Sequence, residues 1–523
     1  MTRYLINRIL RSVFSVIIVV AIVMVLVYSG LDRNLVFAND NAYRNLGNNQ
    51  QTVYKYEKWE QYGYIDYVPY ADWLSEQLKS GVIDEATQSA AVSIGKTAKN
   101  DSETAKQYIS EFTEYYESRG YTVVRLKAVM ATQKKYATGG QQQLFAYKDL
   151  PLINRLFSYL HNLVTVENIH DIENDVGERG ITFTWYDPIY GGEKFSPAII
   201  GNGTSHKYLL YFDSAFPYIH QNLIRINLGK SYTVNKDIDV FTTMTSTQGT
   251  YVMSTTTYPT GLTEEAADDL HTATYVAGSR EATVVNKDRF EDDYTSVQTV
   301  KNGKSKMGYS FVIGIIAVGI AYFIGIPLGI WMSRRKDKLV DKIGTVYIVF
   351  ILAVPSLAYI FLFKAVGGKL GLPTTFNTDS ESNLIYVLPI ISLSLPSIAN
   401  IMKWLRRYMI DQMNSDYVKF ARSGGLSEQE IFSKHILKNA AIPIVHGIPF
   451  DILFALVGAI ITERVYVVPG TGNLLTKAIN MYDNGVIVGV TLFYAVLSVT
   501  AIILGDILMS LVDPRISFTS KER

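Results

Sequence analysis

The segment Asp416-Tyr-Val-Lys-Phe-Ala-Arg-Ser-Gly-Gly-Leu-Ser-Glu-Gln-Glu-Ile-Phe-Ser-Lys-His-Ile-Leu-Lys-Asn439 is polar and basic and lies between two strongly apolar stretches. Its punctuation predicts two short helices joined by a tight corner. Asn414, Ser415 and Asp416 offer side-chain oxygens to the unpaired N–H groups of the first helix. Gly424-Gly425 ends that helix, because glycine reaches the left-handed geometry of a helix C-terminus without a Cβ clash. Ser427 opens the second helix, and Glu430 three residues on completes a capping box in which each side chain accepts the other's backbone N–H. The bland alternative is a solvated loop between two membrane helices, and spacing alone does not separate the two.

The apolar stretches on either side are part of a pattern. A helix needs a run of about 20 apolar residues to cross a bilayer core, and the chain carries about six such runs. They are Ser12 to Tyr28, Phe311 to Met332, Ile343 to Phe363, Leu384 to Met402, Ala441 to Thr462 and Val486 to Val512. The protein is therefore read as an integral membrane protein, although its averages of 48% hydrophobic residues and a net charge of +1 would suit several soluble domains. No cysteine occurs among the 523 residues, which excludes disulfides, thiolate metal sites and cysteine nucleophiles.

Arg3, Arg8 and Arg11 precede the first run and place the N-terminus in the cytoplasm. That run is too long for a signal core, and Leu31-Asp32-Arg33-Asn34 is a poor cleavage site. Residues 31–306 hold no membrane-length run and are rich in Tyr, Thr, Asn and Asp. They read as an inserted α+β domain outside the cell. Ser75 to Gly120 and Pro151 to Val166 have helical spacing, whereas Tyr121 to Met130, Ile181 to Tyr186, Thr242 to Thr257 and Thr272 to Val285 read as strands. The tyrosines between Tyr62 and Tyr70 suit either a binding face or an ordinary core. Basic clusters at Ser333-Arg-Arg-Lys-Asp-Lys338 and from Lys403 to Lys438 put those loops in the cytoplasm. The predicted division is a first helix over 1–30, the outer domain over 31–306, a core of five membrane helices over 307–517 with the elbow at 414–440, and a cytoplasmic tail over 518–523.

Several stretches carry a family likeness. Ala421-Arg422, Gly425-Leu426-Ser427 and His435-Ile-Leu-Lys-Asn-Ala440 resemble the coupling-loop motif of ABC importer permeases, in the form of the oligopeptide/dipeptide branch (OppB/AmiC type). Gly325-Ile-Pro-Leu-Gly329, Glu463-Arg-Val-Tyr-Val-Val-Pro-Gly-Thr-Gly472 and Asp513-Pro-Arg515 resemble further motifs of that family, and Asn227-Leu-Gly-Lys-Ser-Tyr232 resembles part of its first outer loop. Phe420 and Gly424 depart from residues common in the motif, as do Tyr466 and Thr471 in theirs. The resemblance is specific over residues 309–517 and weak over 31–205. It implies the type I importer permease fold, membrane all-α with six transmembrane helices. It also implies a bacterial cell membrane, a second permease subunit, two ATPase subunits holding ATP and magnesium, and an extracellular peptide-binding lipoprotein. Asp416, Ala421, Arg422, Gly425, Leu426, Ser427, Glu430, His435 and Asn439 become the expected contact to the ATPase.

The chemistry in the chain itself is sparse. Gly303-Lys304-Ser305 is the nearest approach to a phosphate-binding loop, but Gln298 occupies the first glycine position. No ATP hydrolysis, catalytic group, metal or nucleic acid is expected here. Asp451 falls about ten residues into the fifth run, about 15 Å deep. An ionisable group at that depth faces a cavity or a partner, so it is read either as a polar contact on the substrate path, such as a peptide amine, or as a structural hydrogen bond. Pro355, Pro396 and Glu463 join it as candidate path residues, although Glu463, like Asp506, is explained more readily by solvation or helix capping near a membrane end. Two other classes stay open. One is a permease for nickel or another small solute; the other is a membrane-anchored surface receptor whose function lies in the outer domain.

Overall fold

The structure is a computed structural model that describes residues 2–95, 97–126, 144–166, 180–186, 193, 195, 197–202, 208–211, 224–275, 288–290, 295–299, 301–380 and 382–512. Helix α1 (Thr2–Gly30) takes in the three arginines as well as the first apolar run. The chain then enters the inserted domain, where α2 (Asn48–Gln61), α3 (Tyr70–Lys79) and α4 (Glu103–Glu117) pack on an antiparallel sheet. Its strands are β1 (Ile65–Pro69), β2 (Thr122–Arg125) and β3 (Leu144–Asp149), with β3 in the middle. Successive side chains of a strand point to opposite faces. Accordingly Phe145 enters one aromatic core with Tyr54, Trp59 and Ile65, while Leu144 and Ala146 enter another with Tyr70, Leu74 and Phe112. Tyr62, Tyr64, Tyr67 and Tyr70 are all buried, so these tyrosines belong to the core of the inserted domain.

Helix α5 (Leu152–His161) leads to β4 (Val164–Val166), followed by the three-stranded sheet of β5 (Gly180–Thr184), β6 (Ala198–Asn202) and β7 (Tyr208–Tyr211). β8 (Ile224–Ile226) returns to pair with β4. The strand expected over Thr242 to Thr257 is only half present. Its first part is the helix α6 (Val240–Thr245), and only β9 (Ser254–Thr257) is extended, paired with β10 (Thr263–Ala266). Two local facts override the β-branched composition. Asp239 accepts the Thr242 N–H at 3.1 Å as an N-cap, and Val240, Phe241 and Met244 are buried against the membrane helices. β11 (Asp268–Tyr275) pairs with β12 (Thr295–Thr299); the remainder of the strand expected to Val285 lies outside the described residues, as does Lys127 to Met130.

The membrane part follows. It comprises α7 (Lys306–Arg334), α8 (Leu339–Ala353), α9 (Ser356–Lys369), α10 (Val387–Met413), α11 (Asp416–Ser423), α12 (Lys438–Tyr466), α13 (Thr471–Asn480) and α14 (Asn484–Val512). Among the described residues five helices are long and apolar enough to cross a bilayer, and the bent pair α8–α9 makes a sixth span if counted as one. That pair corrects the expectation of one continuous run from Ile343 to Phe363, because the two halves diverge by 107°. Pro355 is the cause. It has no N–H to continue the helix, and it drives Val354 into extended geometry at φ −79°, ψ 131°. α7 and α10 pack closely: a Cβ on Gly325 would sit 3.0 Å from Ile401, and one on Gly329 would sit 3.3 Å from Leu405. Asp506, expected to be solvated or capping, instead pairs with Arg8 at 3.0 Å and with His446 at 3.5 Å, tying α14 to α1 and α12.

Candidate functional site

The elbow is built on local rules. Gly425 adopts φ +83°, its N–H donates to the Arg422 carbonyl at 3.1 Å, and Leu426 N–H donates to the Ala421 carbonyl at 3.3 Å. These two bonds form the glycine-stopped helix end that satisfies the Ala421 and Arg422 carbonyls of the last turn of α11. Ser427 Oγ then accepts the Glu430 N–H at 3.3 Å, and Glu430 Oε2 accepts the Ser427 N–H at 3.3 Å, as the capping box requires. Arg422 Nε reaches across the corner to Glu428 Oε1 at 2.5 Å. The start of α11 differs from expectation: Ser415 donates backward to the Gln412 carbonyl at 2.6 Å instead of capping, and Asp416 pairs with Lys419 at 2.8 Å.

The second elbow helix is not a separate short one. Glu428–Glu430 continues through a wider π-helical turn, Ile431–Leu437, directly into α12, so that Glu428–Tyr466 is one 39-residue helix. No glycine or proline interrupts the chain between Ser427 and Pro443, and nothing else stops the helix. Val418 of α11 is buried against Leu405, Met409, Ile431, Phe432 and Ile436, which locks the corner to α10 and to the base of α12. Tyr417, which sequence reasoning passed over, is the polar staple. Its hydroxyl donates to Gln412 Oε1 at 2.7 Å and accepts from Asn439 Nδ2 at 3.1 Å, and it lies 3.5 Å from the His435 carbonyl. Phe420, by contrast, is 76% exposed, and Leu426 is exposed on the same corner.

At mid-helix in α12, Asp451 borders a cavity of about 530 Å³. α9 contributes Ser356 and Tyr359, α10 contributes Ser392, Pro396, Ser397 and Asn400, and α12 adds Phe450, Phe454 and Thr462. The hydroxyl of Tyr322, on α7, donates to Asp451 Oδ2 at 2.6 Å. Pro396 thus shares a cavity with Asp451, and Pro355 sets the bend immediately before Ser356. Glu463 does not belong with them. It is 1% exposed, takes a hydrogen bond from Ser310 Oγ at 2.6 Å and another from the Asn473 N–H at 2.8 Å, and so joins α7 and α12 to the first turn of α13. The glycines beside it are sterically required, since a Cβ on Gly470 would lie 2.3 Å from the Glu463 carboxyl.

A third junction went unnoticed in the sequence. The buried carboxylate of Asp483 accepts Ser231 Oγ at 2.7 Å and the backbone N–H groups of Tyr232, Thr233 and Val234, each at 2.9 Å. It also accepts the Val486 N–H at 3.1 Å, capping α14. Successive backbone donors of this kind form an anion nest, so the inserted domain is clasped to the start of the last membrane helix. The only sequence signal was an Asp just before an apolar run, which reads as an N-cap. Tyr62 stacks on Tyr232 at 3.8 Å between centroids and extends the clasp into the aromatic core. Among the described residues no group of three His, Cys, Asp or Glu side chains is placed to hold a metal ion, and Asp513-Pro-Arg515 lies outside them.

Comparison with known proteins places these features in context. Residues 325–518 match the family described as binding-protein-dependent transport system inner membrane component. The chain is 32% identical over 531 residues to the oligopeptide transport system permease protein AmiC of Streptococcus pneumoniae, spanning 100% of this chain and 99% of that one. It is 30% identical over 226 residues to the dipeptide transport system permease protein DppB of Lactococcus lactis subsp. cremoris, spanning 43% of this chain and 73% of the relative. A solved structure described as an amino acid ABC transporter with histidines aligns with 40% of this chain and 92% of its own, at TM-score 0.32 and 16% identity.

Proposed function

Because the chain belongs to the family of binding-protein-dependent transport system inner membrane components, we propose that it is a permease subunit of an ATP-driven oligopeptide importer and forms half of the translocation path. The observation that carries the substrate is the end-to-end similarity to a permease named for oligopeptide transport, inserted domain included. In this reading the chain is not itself an enzyme. ATP and magnesium sit on two separate ATPase subunits, a second permease completes the path, and a peptide-binding lipoprotein delivers the substrate.

The elbow is the ATPase contact. A short helix that presents side chains to a cleft on a partner couples well only if it is stiff. Val418, Tyr417 and the Gly425 helix stop make it so, while Phe420 and Leu426 are left exposed for the partner. Since Glu428–Tyr466 is one helix, a push on the corner is delivered along α12 toward the cavity at Asp451. The excess of Lys and Arg at the elbow side and in the first turns of α1 supports cytoplasmic termini and an extracellular inserted domain in a bacterial cell membrane.

The test is co-expression with the partner permease, ATPases and binding protein, followed by reconstitution into liposomes. ATPase subunits that co-purify through the elbow and uptake of labelled peptide that requires ATP are the expected results. A complex that hydrolyses ATP yet moves nickel or another small solute in place of peptides would overturn the substrate assignment.

A further inference from the structure

Asp451 sits 13 residues after Lys438 and 15 before Tyr466, so about 20 Å of helix separates it from either end. Among the described residues that border the cavity of about 530 Å³ it is the only charged side chain, and no Lys, Arg or His joins it there. One carboxylate oxygen, Oδ2, is held by the Tyr322 hydroxyl at 2.6 Å, and the other has no protein partner among the described residues. The rest of the wall combines aromatic and aliphatic groups, Tyr359, Phe450 and Phe454 among them, with small polar ones such as Ser397 and Asn400. An acidic group at this depth without a counter-charge is costly, and the cost is relieved by a cation that enters the cavity.

We propose that this cavity is a subsite for the N-terminal ammonium of a peptide in transit, with Asp451 as its counter-ion and Tyr322 as the residue that orients the carboxylate. The subsite deepens, and rests on, the assignment of the chain to peptide import. The charge leaves one carboxylate oxygen for the ammonium. The aromatic wall accepts the first side chain without selecting it, which suits a carrier of varied sequences. A lone hydrogen bond between helices would have no use for the free oxygen or for the cavity beside it.

The experiment uses the complete transporter in liposomes, with tri-alanine and N-acetyl-tri-alanine each supplied at saturation of the binding protein. Wild type is expected to take up the free-amine peptide about tenfold faster, as a lost hydrogen bond to a charged group implies. Asp451→Asn is expected to lower free-amine uptake about tenfold and leave the acetylated peptide unchanged, and Asp451→Glu to restore part of the preference. Tyr322→Phe keeps the charge but releases its orientation, and is expected to lower the preference only in part. The proposal is overturned if an Asp451→Asn complex that retains its ATPases keeps the wild-type preference, or if Asp451→Asn and Tyr322→Phe slow both peptides equally, as loss of a merely structural bond would. If wild type hydrolyses ATP and moves neither peptide, it is the peptide-import assignment that has failed, and the subsite falls with it.

Discussion

Replacing Asp483 by Ala removes one carboxylate and strands the donors that converge on it. Four are backbone N–H groups, of Tyr232, Thr233, Val234 and Val486, and a fifth is the Ser231 hydroxyl. Ser231 and Asp483 are 0% exposed and Tyr232 is buried, so water does not reach them without an opening of the junction. A buried donor left unsatisfied costs about 1–3 kcal/mol. The three backbone donors of residues 232–234, partly relieved by entering water, predict a loss of about 3–5 kcal/mol confined to the clasp. Native-state hydrogen exchange reads this directly. The amides of residues 232–234 should exchange more than about 100-fold faster in the variant, because about 1.4 kcal/mol is a factor of ten, while those of β3 in the aromatic core stay slow. Asp483→Asn should fall between, since its amide NH₂ would face donors. Unchanged exchange at the three amides in Asp483→Ala would refute the reasoning and mean that the nest does not hold the domain to α14.

Three further outcomes follow from other parts of the molecule. Gly425→Val places a β-branched residue at φ +83°, where no neighbour lies within 4 Å of the new Cβ, so its penalty of about 1–2 kcal/mol is backbone strain alone; peptide uptake per ATP hydrolysed should fall while hydrolysis persists, and normal coupling in an assembled variant would count against the corner's role. Arg406 grips the buried Asp341 with two hydrogen bonds, at 2.5 and 2.7 Å, between α10 and α8, so Arg406→Leu should destabilise the detergent-solubilised protein by about 3–5 kcal/mol and the double change Asp341→Leu/Arg406→Leu should recover most of the lost melting temperature. Burial pushes the Asp239 carboxyl up from the ordinary 3.8 to about 6. Above that pH the fold bears a buried charge, whereas between about 6 and 4 the folded state alone binds the proton, so α6 gains on the order of 2–3 kcal/mol as the pH falls; Asp239→Asn, which keeps an N-cap oxygen, should raise the protection of the Thr242 amide at pH 7 and abolish its rise on acidification.

What could be read in advance has a physical pattern. The capping box of Ser427 and Glu430 and the helix stop at Gly425 span six residues or fewer, and their geometry follows from which side chains reach which orphan N–H groups. The membrane runs were legible for a similar reason, since a bilayer demands apolar length from each helix separately. The misreadings arose where one signal in the sequence was overridden by another. At Ile343 to Phe363 apolar length was set against Pro355, and the proline prevailed. Over Thr242 to Thr257 β-branched composition lost to an N-cap and to burial against helices distant in sequence.

By itself, then, the amino-acid order determined that this is a membrane protein of about six spans with an inserted domain, and it shaped the corner of the elbow, because those features depend on residues that are neighbours in the chain. Only the tertiary structure decided what Asp483, Glu463, Asp506 and Asp451 do. The first three are acids near the ends of apolar runs and look alike in sequence. Each takes its role from a partner 153 or more positions away: Ser231 for Asp483, Ser310 for Glu463, Arg8 for Asp506. Asp451, bonded to Tyr322 from α7 through Oδ2, borders a cavity. A carboxylate's environment is the sum of the groups that folding brings within a few ångströms, and no spacing rule along the chain encodes that sum.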